Sequence, residues 1–287
     1  MGTVGMRALV LSGGGARGAY HVGALTRLIR DEGARYDVVT GVSVGALIAA
    51  FLAQYPKTLG PVAVADVAEL FLSLESEYVW RKWSLGYMSS LWKPSALNAS
   101  PLRELVEVYV SPNTLRLSGI ELRVGVVSLT TGRFEIFDQD SEFIREAVLA
   151  SASVPGAFQP IEFDGQIWAD GGIRRSAPLR AAIDAGADQI DVVICSPSNP
   201  GPAGDLRHTL HVAARAAEIV LDEVSDIESV RAHNRLIRAG VGDPGKHEVK
   251  LRIVRPLHSL GGSLLRFDPE RAKEHAAHGY ADAYNQS

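Results

Sequence analysis

The chain has 287 residues, 46% of them hydrophobic and 22% charged, which describes a globular protein long enough to bury a substantial core. A net charge of −4 with no basic block argues against nucleic acid as a partner. The single cysteine, Cys195 in the apolar run "IDVVICS", excludes an intramolecular disulfide framework, points to a reducing compartment and reads as a buried structural thiol.

Arg7–Leu11 is the first predicted strand. Gly18–Glu32 follows as a helix with Val22, Leu25, Leu28 and Ile29 on one face, the spacing of an amphipathic turn. Tyr36–Thr40 reads as a second strand, and Val44–Ala53 as a helix apolar almost all round, hence buried. Strand, helix and strand in this order form a right-handed parallel crossover. Residues 62–110 look mainly helical, with loops near Gly86 and Pro94. "ELRVGVVSLTTGRFEIFD" predicts two strands joined by a turn at Thr130–Gly132. A helix over Glu142–Ala150, a strand at "QIWAD", a helix at "PLRAAIDAG" and a strand at "QIDVVICS" come next. Beyond a break at Pro197–Pro202, Asp205–Ala239 is a long helical pattern, "KHEVKLRIVRP" a last strand and Pro269–Tyr284 a last helix. The alternation predicts one α/β domain over residues 1–287. Its motifs lie in 7–195 and its C-terminal part, 203–287, is helical.

No targeting segment is visible. "MGTVGMRALVL" lacks the long apolar core of a signal peptide, and Met6 stands where myristoylation needs Ser or Thr. The longest apolar stretch is too short to cross a bilayer. The expected location is cytoplasmic.

Gly13, Gly15 and Gly18 have G-x-G-x-x-G spacing, which alone is weak evidence for a dinucleotide. The second strand ends at Thr40 rather than at the acidic residue a ribose needs, and no Gly-Lys-Ser/Thr follows the glycines. Instead the chain runs into Gly41-Val42-Ser43-Val44-Gly45. G-x-S-x-G between strand and helix sets the serine on a sharp turn at the carboxyl edge of the sheet. The glycine loop emerges at the same edge, so its N–H groups make better sense as an oxyanion hole than as a phosphate cradle. Eight histidines are present, none at a strand end beside small residues, and each reads as surface or satisfied. "IWADGGIRRSAP" sets Asp170 straight after a short strand. An Asp-Gly turn is one reading; a base is the other, and it requires desolvation to raise an ordinary pKa of about 3.9.

Ser12-Gly-Gly-Gly-Ala-Arg17-Gly18, Gly41-Val-Ser43-Val-Gly45 and Asp170-Gly171-Gly172, in that order, resemble the patatin-like phospholipase family. "SASVPGAFQPI" and "SAPLRAAIDAGADQIDVV" are similar to its segments around the Asp-Gly-Gly/Ala. The resemblance implies a three-layer αβα fold with a central, mainly parallel sheet and a Ser–Asp dyad. Ser43 would be the nucleophile and Asp170 the base. The Gly13, Gly14, Gly15, Ala16, Arg17 and Gly18 loop would hold the oxyanion, supported by Gly41, Gly45, Gly171 and Gly172. It further implies lipid or fatty-acyl ester substrates, an acyl-serine intermediate, and no metal or other cofactor. Ser12 stands where many members carry aspartate, and Ser176 near a position often asparagine. Arg17 suits a structural role in the loop, with a substrate phosphate as the alternative.

"EYVWRKWSLGYMSSLWKPSAL" places Trp80, Trp83 and Trp92 among Arg81, Lys82 and Lys93. Such a mixture fits a membrane interface facing the lipid, and equally a helical cap packed on the core. The leading expectation is a carboxylic ester hydrolase with peripheral membrane contact. An acyltransferase of the same chemistry is one alternative, and a nucleotide-binding regulator built on the glycine loop another.

Overall fold

The computed structural model describes residues 5–83, 95–197, 219 and 249–286. The helical pattern expected over 205–239 lies outside them, Ile219 apart. The chain alternates β1 (Arg7–Leu11), α1 (Ala19–Leu25), β2 (Val38–Gly41), α2 (Val44–Leu52), α3 (Gly60–Leu72), α4 (Ser100–Tyr109) and α5 (Pro112–Leu117). It continues through β3 (Glu121–Ser128), β4 (Phe134–Asp138), α6 (Ile144–Ser151), β5 (Ile161–Phe163) and β6 (Gln166–Asp170). The remaining elements are α7 (Leu179–Asp184), β7 (Gln189–Val193), β8 (Lys250–Val254) and α8 (Pro269–Asn285).

One sheet runs β5-β6-β3-β2-β1-β7-β8, with β4 paired to β3. β3, β2, β1, β7 and β8 are parallel; β4 and β6 run antiparallel to β3. Alternation along the strands divides the buried side chains in two. Leu9, Leu11, Val39, Val124 and Val193 point into the larger core, shared with α1, α2, α3, α4 and α6. Ala8, Val10, Val38, Ile190 and Val192 point the other way, against Leu179 and Ala182 of α7. Both faces of the central strands are therefore buried, which is why they read as continuous apolar runs. This is the expected three-layer α/β arrangement around a mainly parallel sheet.

The path of β6 positions the site. β4 occupies one edge of β3 along residues 123–127. On the other edge β2 pairs with residues 121–124 and β6 with residues 126–128. β6 thus continues the line of β2 beyond its carboxyl end, and delivers Asp170 next to the turn that follows Gly41.

Three local expectations shift. The helix predicted over Gly18–Glu32 is α-helical only to Leu25; Thr26–Asp31 continues in π-helical winding. The second strand runs Val38–Gly41 rather than Tyr36–Thr40, and the Tyr36 hydroxyl donates to Asp191 (2.8 Å). β5 carries no visible sequence signal because three residues cannot display a two-residue period.

Candidate active site

Ser43 links β2 to α2 with φ 58° and ψ −131°, a strained backbone for a residue with a side chain. The neighbouring glycines make that turn feasible. A Cβ on Gly45 would press into the carbonyls of Leu11 and Ser12, and one on Gly41 into the backbone of Gly45. The Ser43 N–H donates to Ser151 Oγ (2.9 Å), and that hydroxyl donates to the Gly125 carbonyl (2.7 Å). Ser151 therefore ties the elbow to β3 from the end of α6. Sequence reasoning did not single it out, and a serine among "LASASVP" carries no distinguishing signal.

Asp170 closes β6 and is buried. Its Oδ1 accepts the Gly172 N–H (2.7 Å), and the Ser43 side chain lies near its carboxylate. Its own N–H donates to the Ser153 carbonyl (3.1 Å). Burial raises the carboxyl pKa to about 7, against the lowering effect of the Gly172 N–H and of Ser43. The group is thus poised to take up or release a proton near neutrality. Gly171 lets the chain pass close to the Gly125 carbonyl and the Phe134 ring.

Of the glycine loop, Gly13 lies against the serine: a Cβ there would be 3.3 Å from Ser43 Cβ. Several N–H groups of the loop already have acceptors. Gly13 donates to Ser176 O (2.9 Å), Ala16 to Leu264 O (2.8 Å) and Arg17 to Gly14 O (3.1 Å). Gly14 and Gly15 have no such acceptor among the described residues. Gly15 holds φ 54°, and a Cβ on it would collide with the Leu264 carbonyl. A carbonyl pressed against the loop is a poor neighbour for a phosphate, which disfavours the nucleotide reading. Ser12 is buried; its Oγ donates to Gly13 O (2.8 Å) and accepts the Cys195 N–H (2.9 Å). Gly18 packs against Val44.

Among the described residues two histidines are buried, and the hydrogen bonds of neither go to Ser43. His21 sits beneath the loop, its Nε2 2.9 Å from Ser12 O and 3.1 Å from Cys195 Sγ. Burial lowers its pKa to about 4, so it is neutral at physiological pH. His275 faces Leu260 O (3.0 Å). Cys195 is free and buried, with its thiol pushed up to about 12 by that burial. Arg17 is buried in the loop itself. Among the described residues no cluster of His, Cys, Asp or Glu is gathered to hold a metal ion, and no helix is long and apolar enough to cross a membrane.

Ser43 and Gly15 line an open, apolar slot. Val44, Leu47 and Phe51 of α2 form one wall; Leu102, Leu105 and Val106 of α4 and Phe71 of α3 face them. Leu264, Leu265 and Phe267 complete the lining. From Ser43 to Phe51 the slot follows α2 for about 12 Å. Trp80 lies beside it, half-buried, donating its indole N–H to Leu265 O (2.8 Å). Trp83 donates to Ser95 O (3.2 Å). Trp92 lies outside the described residues.

An elbow serine beside a buried aspartate and a glycine loop restates in space the three motifs of the sequence. The Patatin-like phospholipase family matches residues 9–183, more than half of the chain. The chain belongs to that family. An NTE family protein of Mycobacterium tuberculosis is 29% identical over 200 residues, covering 69% of this chain and 51% of the relative. A cGAMP-activated phospholipase of Escherichia coli is 26% identical over 197 residues, covering 60% and 53%. The chain spans about half the length of these curated relatives. Among solved structures, VipD from Legionella pneumophila aligns with 98% of this chain and 66% of its own, at 14% identity and a TM-score of 0.48.

Proposed function

We propose that this patatin-like protein hydrolyses fatty-acyl esters of lipids, with Ser43 as nucleophile and Asp170 as its general base. The observation that carries the reading is the elbow serine Ser43 set beside the buried Asp170 carboxylate and lining an apolar slot. Ser43 Oγ attacks the ester carbonyl while its proton passes to Asp170. The oxyanion takes the N–H groups of Gly14 and Gly15, each such donor supplying about 3 kcal/mol of transition-state stabilisation. Collapse of the tetrahedral intermediate breaks the ester C–O bond, and the leaving alkoxide recovers the proton from Asp170. Water, giving its proton to the same carboxylate, then attacks acyl-Ser43; the bond to Oγ breaks, Ser43 takes that proton back from Asp170 and the fatty acid is released. The acyl chain occupies the slot along α2. Phospholipase A or lysophospholipase-type hydrolysis follows from that chemistry, and family membership supports it.

The test compares wild type with Ser43→Ala and Asp170→Asn on p-nitrophenyl butyrate and on phospholipid in mixed micelles. Wild type releases nitrophenol and free fatty acid, and neither variant does. Equal turnover by all three refutes the assignment. Transfer of the acyl group to an added alcohol in preference to water would identify an acyltransferase instead.

A further inference from the structure

Three successive carbonyls of the glycine loop have donors. Ser12 O lies 2.9 Å from His21 Nε2; a carbonyl can only accept, so that nitrogen carries the proton. Gly13 O accepts the Ser12 hydroxyl (2.8 Å), and Gly14 O accepts the Arg17 N–H (3.1 Å). These peptides are trans, and a trans peptide points its N–H opposite to its C=O. The N–H groups that follow the three carbonyls, on Gly13, Gly14 and Gly15, are therefore turned away from those partners. The first donates to Ser176 O (2.9 Å), and the other two have no acceptor among the described residues.

Glycine on both sides of the Gly13–Gly14 peptide leaves that unit free to turn, and a half-turn would present a carbonyl where an oxyanion needs a donor. The Ser12 hydroxyl opposes the turn and is itself fixed. The Ser12 N–H donates to Val193 O (3.0 Å), and Ser12 Oγ accepts the Cys195 N–H (2.9 Å). Backbone and side chain are thus both fastened to the chain at the end of β7. With the Cys195 N–H on one Oγ lone pair, the hydroxyl proton is directed to Gly13 O. Ser12 is fully buried, which keeps water from competing for the bond. The loop is seated hard on the same support: a Cβ on Gly14 would lie 2.7 Å from Cys195 Cβ, while Gly13 faces Ser43.

We propose that Ser12 is a positioning residue for ester cleavage: through Gly13 O its hydroxyl fixes the Gly13–Gly14 peptide so that the Gly14 N–H is presented to the substrate oxyanion. Ser12 acts through that peptide and not on the substrate. The assignment rests on the acyl-hydrolase reading and adds to it the group that aims one of the loop's donors. Such a group matters only once negative charge develops on the carbonyl oxygen, so its loss spares substrate binding and slows the chemistry.

The experiment measures p-nitrophenyl butyrate turnover by wild type, Ser12→Ala and Ser12→Cys, under reductant. Inhibition by an alkyl trifluoromethyl ketone and by the methyl ketone of equal chain length is measured beside it. Ser43 Oγ adds to the trifluoromethyl ketone carbon, its proton passes to Asp170, and an oxyanion forms on the former carbonyl oxygen. The methyl ketone only occupies the slot. A thiol is close in shape to the hydroxyl and a weak donor. Ser12→Cys therefore loses the bond without opening a cavity, and carries the comparison should Ser12→Ala fail to fold. In both variants kcat falls on the order of a hundredfold, the loss typical of one missing oxyanion donor, and KM changes by less than about twofold. Inhibition by the trifluoromethyl ketone weakens in step, and inhibition by the methyl ketone is unchanged. Unchanged kcat in a folded variant overturns the proposal. Equal losses for both ketones also overturn it, since they mark general damage to the slot. If wild type itself neither turns over the ester nor takes up the trifluoromethyl ketone, the Ser43–Asp170 chemistry fails and the role of Ser12 falls with it.

Discussion

In the proposed mechanism Asp170 combines a catalytic advantage with a cost in stability. As the proposed base its carboxyl must be ionised to accept the Ser43 proton, and burial raises its pKa to about 7. Hydrolysis of a soluble ester therefore rises with pH, about tenfold per unit below pH 7, and levels off above it. A flat profile from pH 5 to 8 would contradict this. An unfolded carboxyl loses its proton near pH 4, so between about pH 4 and 7 the native state holds more protons than the unfolded one. Stability falls as pH rises through that window, by roughly 4 kcal/mol in total. Asp170→Asn cannot ionise and can still accept the Gly172 N–H. Urea unfolding should show it gaining on wild type between pH 4 and pH 8, while catalysis is lost. Ser151 makes a different contribution. Ser151→Ala leaves the buried Ser43 N–H without its acceptor, at about 1–3 kcal/mol, and should lower kcat more than it raises KM. Ser43 could be read from neighbouring residues along the chain, and Asp170 from the family resemblance that its Asp-Gly-Gly segment carries. Ser151 could not, because its importance comes from lying between β2 and β3.

α2 carries two tasks on one helix. Its first residue follows the elbow, and Leu47 and Phe51, four and eight positions beyond Ser43, line the slot. The apolar pattern of Val44–Ala53 predicted burial correctly, but part of that apolar face borders an open slot. Leu47→Trp should fill the slot midway. Turnover of p-nitrophenyl palmitate then falls at least tenfold relative to the butyrate, which still reaches Ser43. Parallel losses for both esters would remove the slot from the acyl-binding role. The strands were legible wherever they were central, as continuous apolar runs. β5 and the π-helical winding at Thr26–Asp31 were not, since their form depends on what packs against them.

The site draws on residues from Ser12 to Phe267, so distant segments must close together. α8 packs on α1 where glycines allow it: a Cβ on Gly279 would collide with the Tyr20 carbonyl, and one on Gly23 with the Ala276 carbonyl. Tyr20 OH donates to Asp282 (2.9 Å) across the same contact. Gly279→Val should cost about 1–3 kcal/mol by overpacking, read as a lower midpoint in urea. It should also lower activity, because His275 of α8 holds Leu260 in the segment that leads to Leu264 and the glycine loop. Full stability in this variant would show that α8 tolerates displacement.

The glycine spacings, the serine between strand and helix, and the aspartate after a short strand are constraints between chain neighbours. They were visible as soon as the residues were read, and with them the α/β class and the family. The approach of Ser43 to Asp170, the raised pKa of that carboxyl, the choice of Gly14 and Gly15 as the loop's unengaged donors, and the slot along α2 were not. Each depends on desolvation and on groups far apart in sequence. The register of β6 above β2 brings Ser43 and Asp170 together, and the packing of Leu264 against Gly15 commits one donor and leaves others open. Neither is set by the nearest neighbours along the chain.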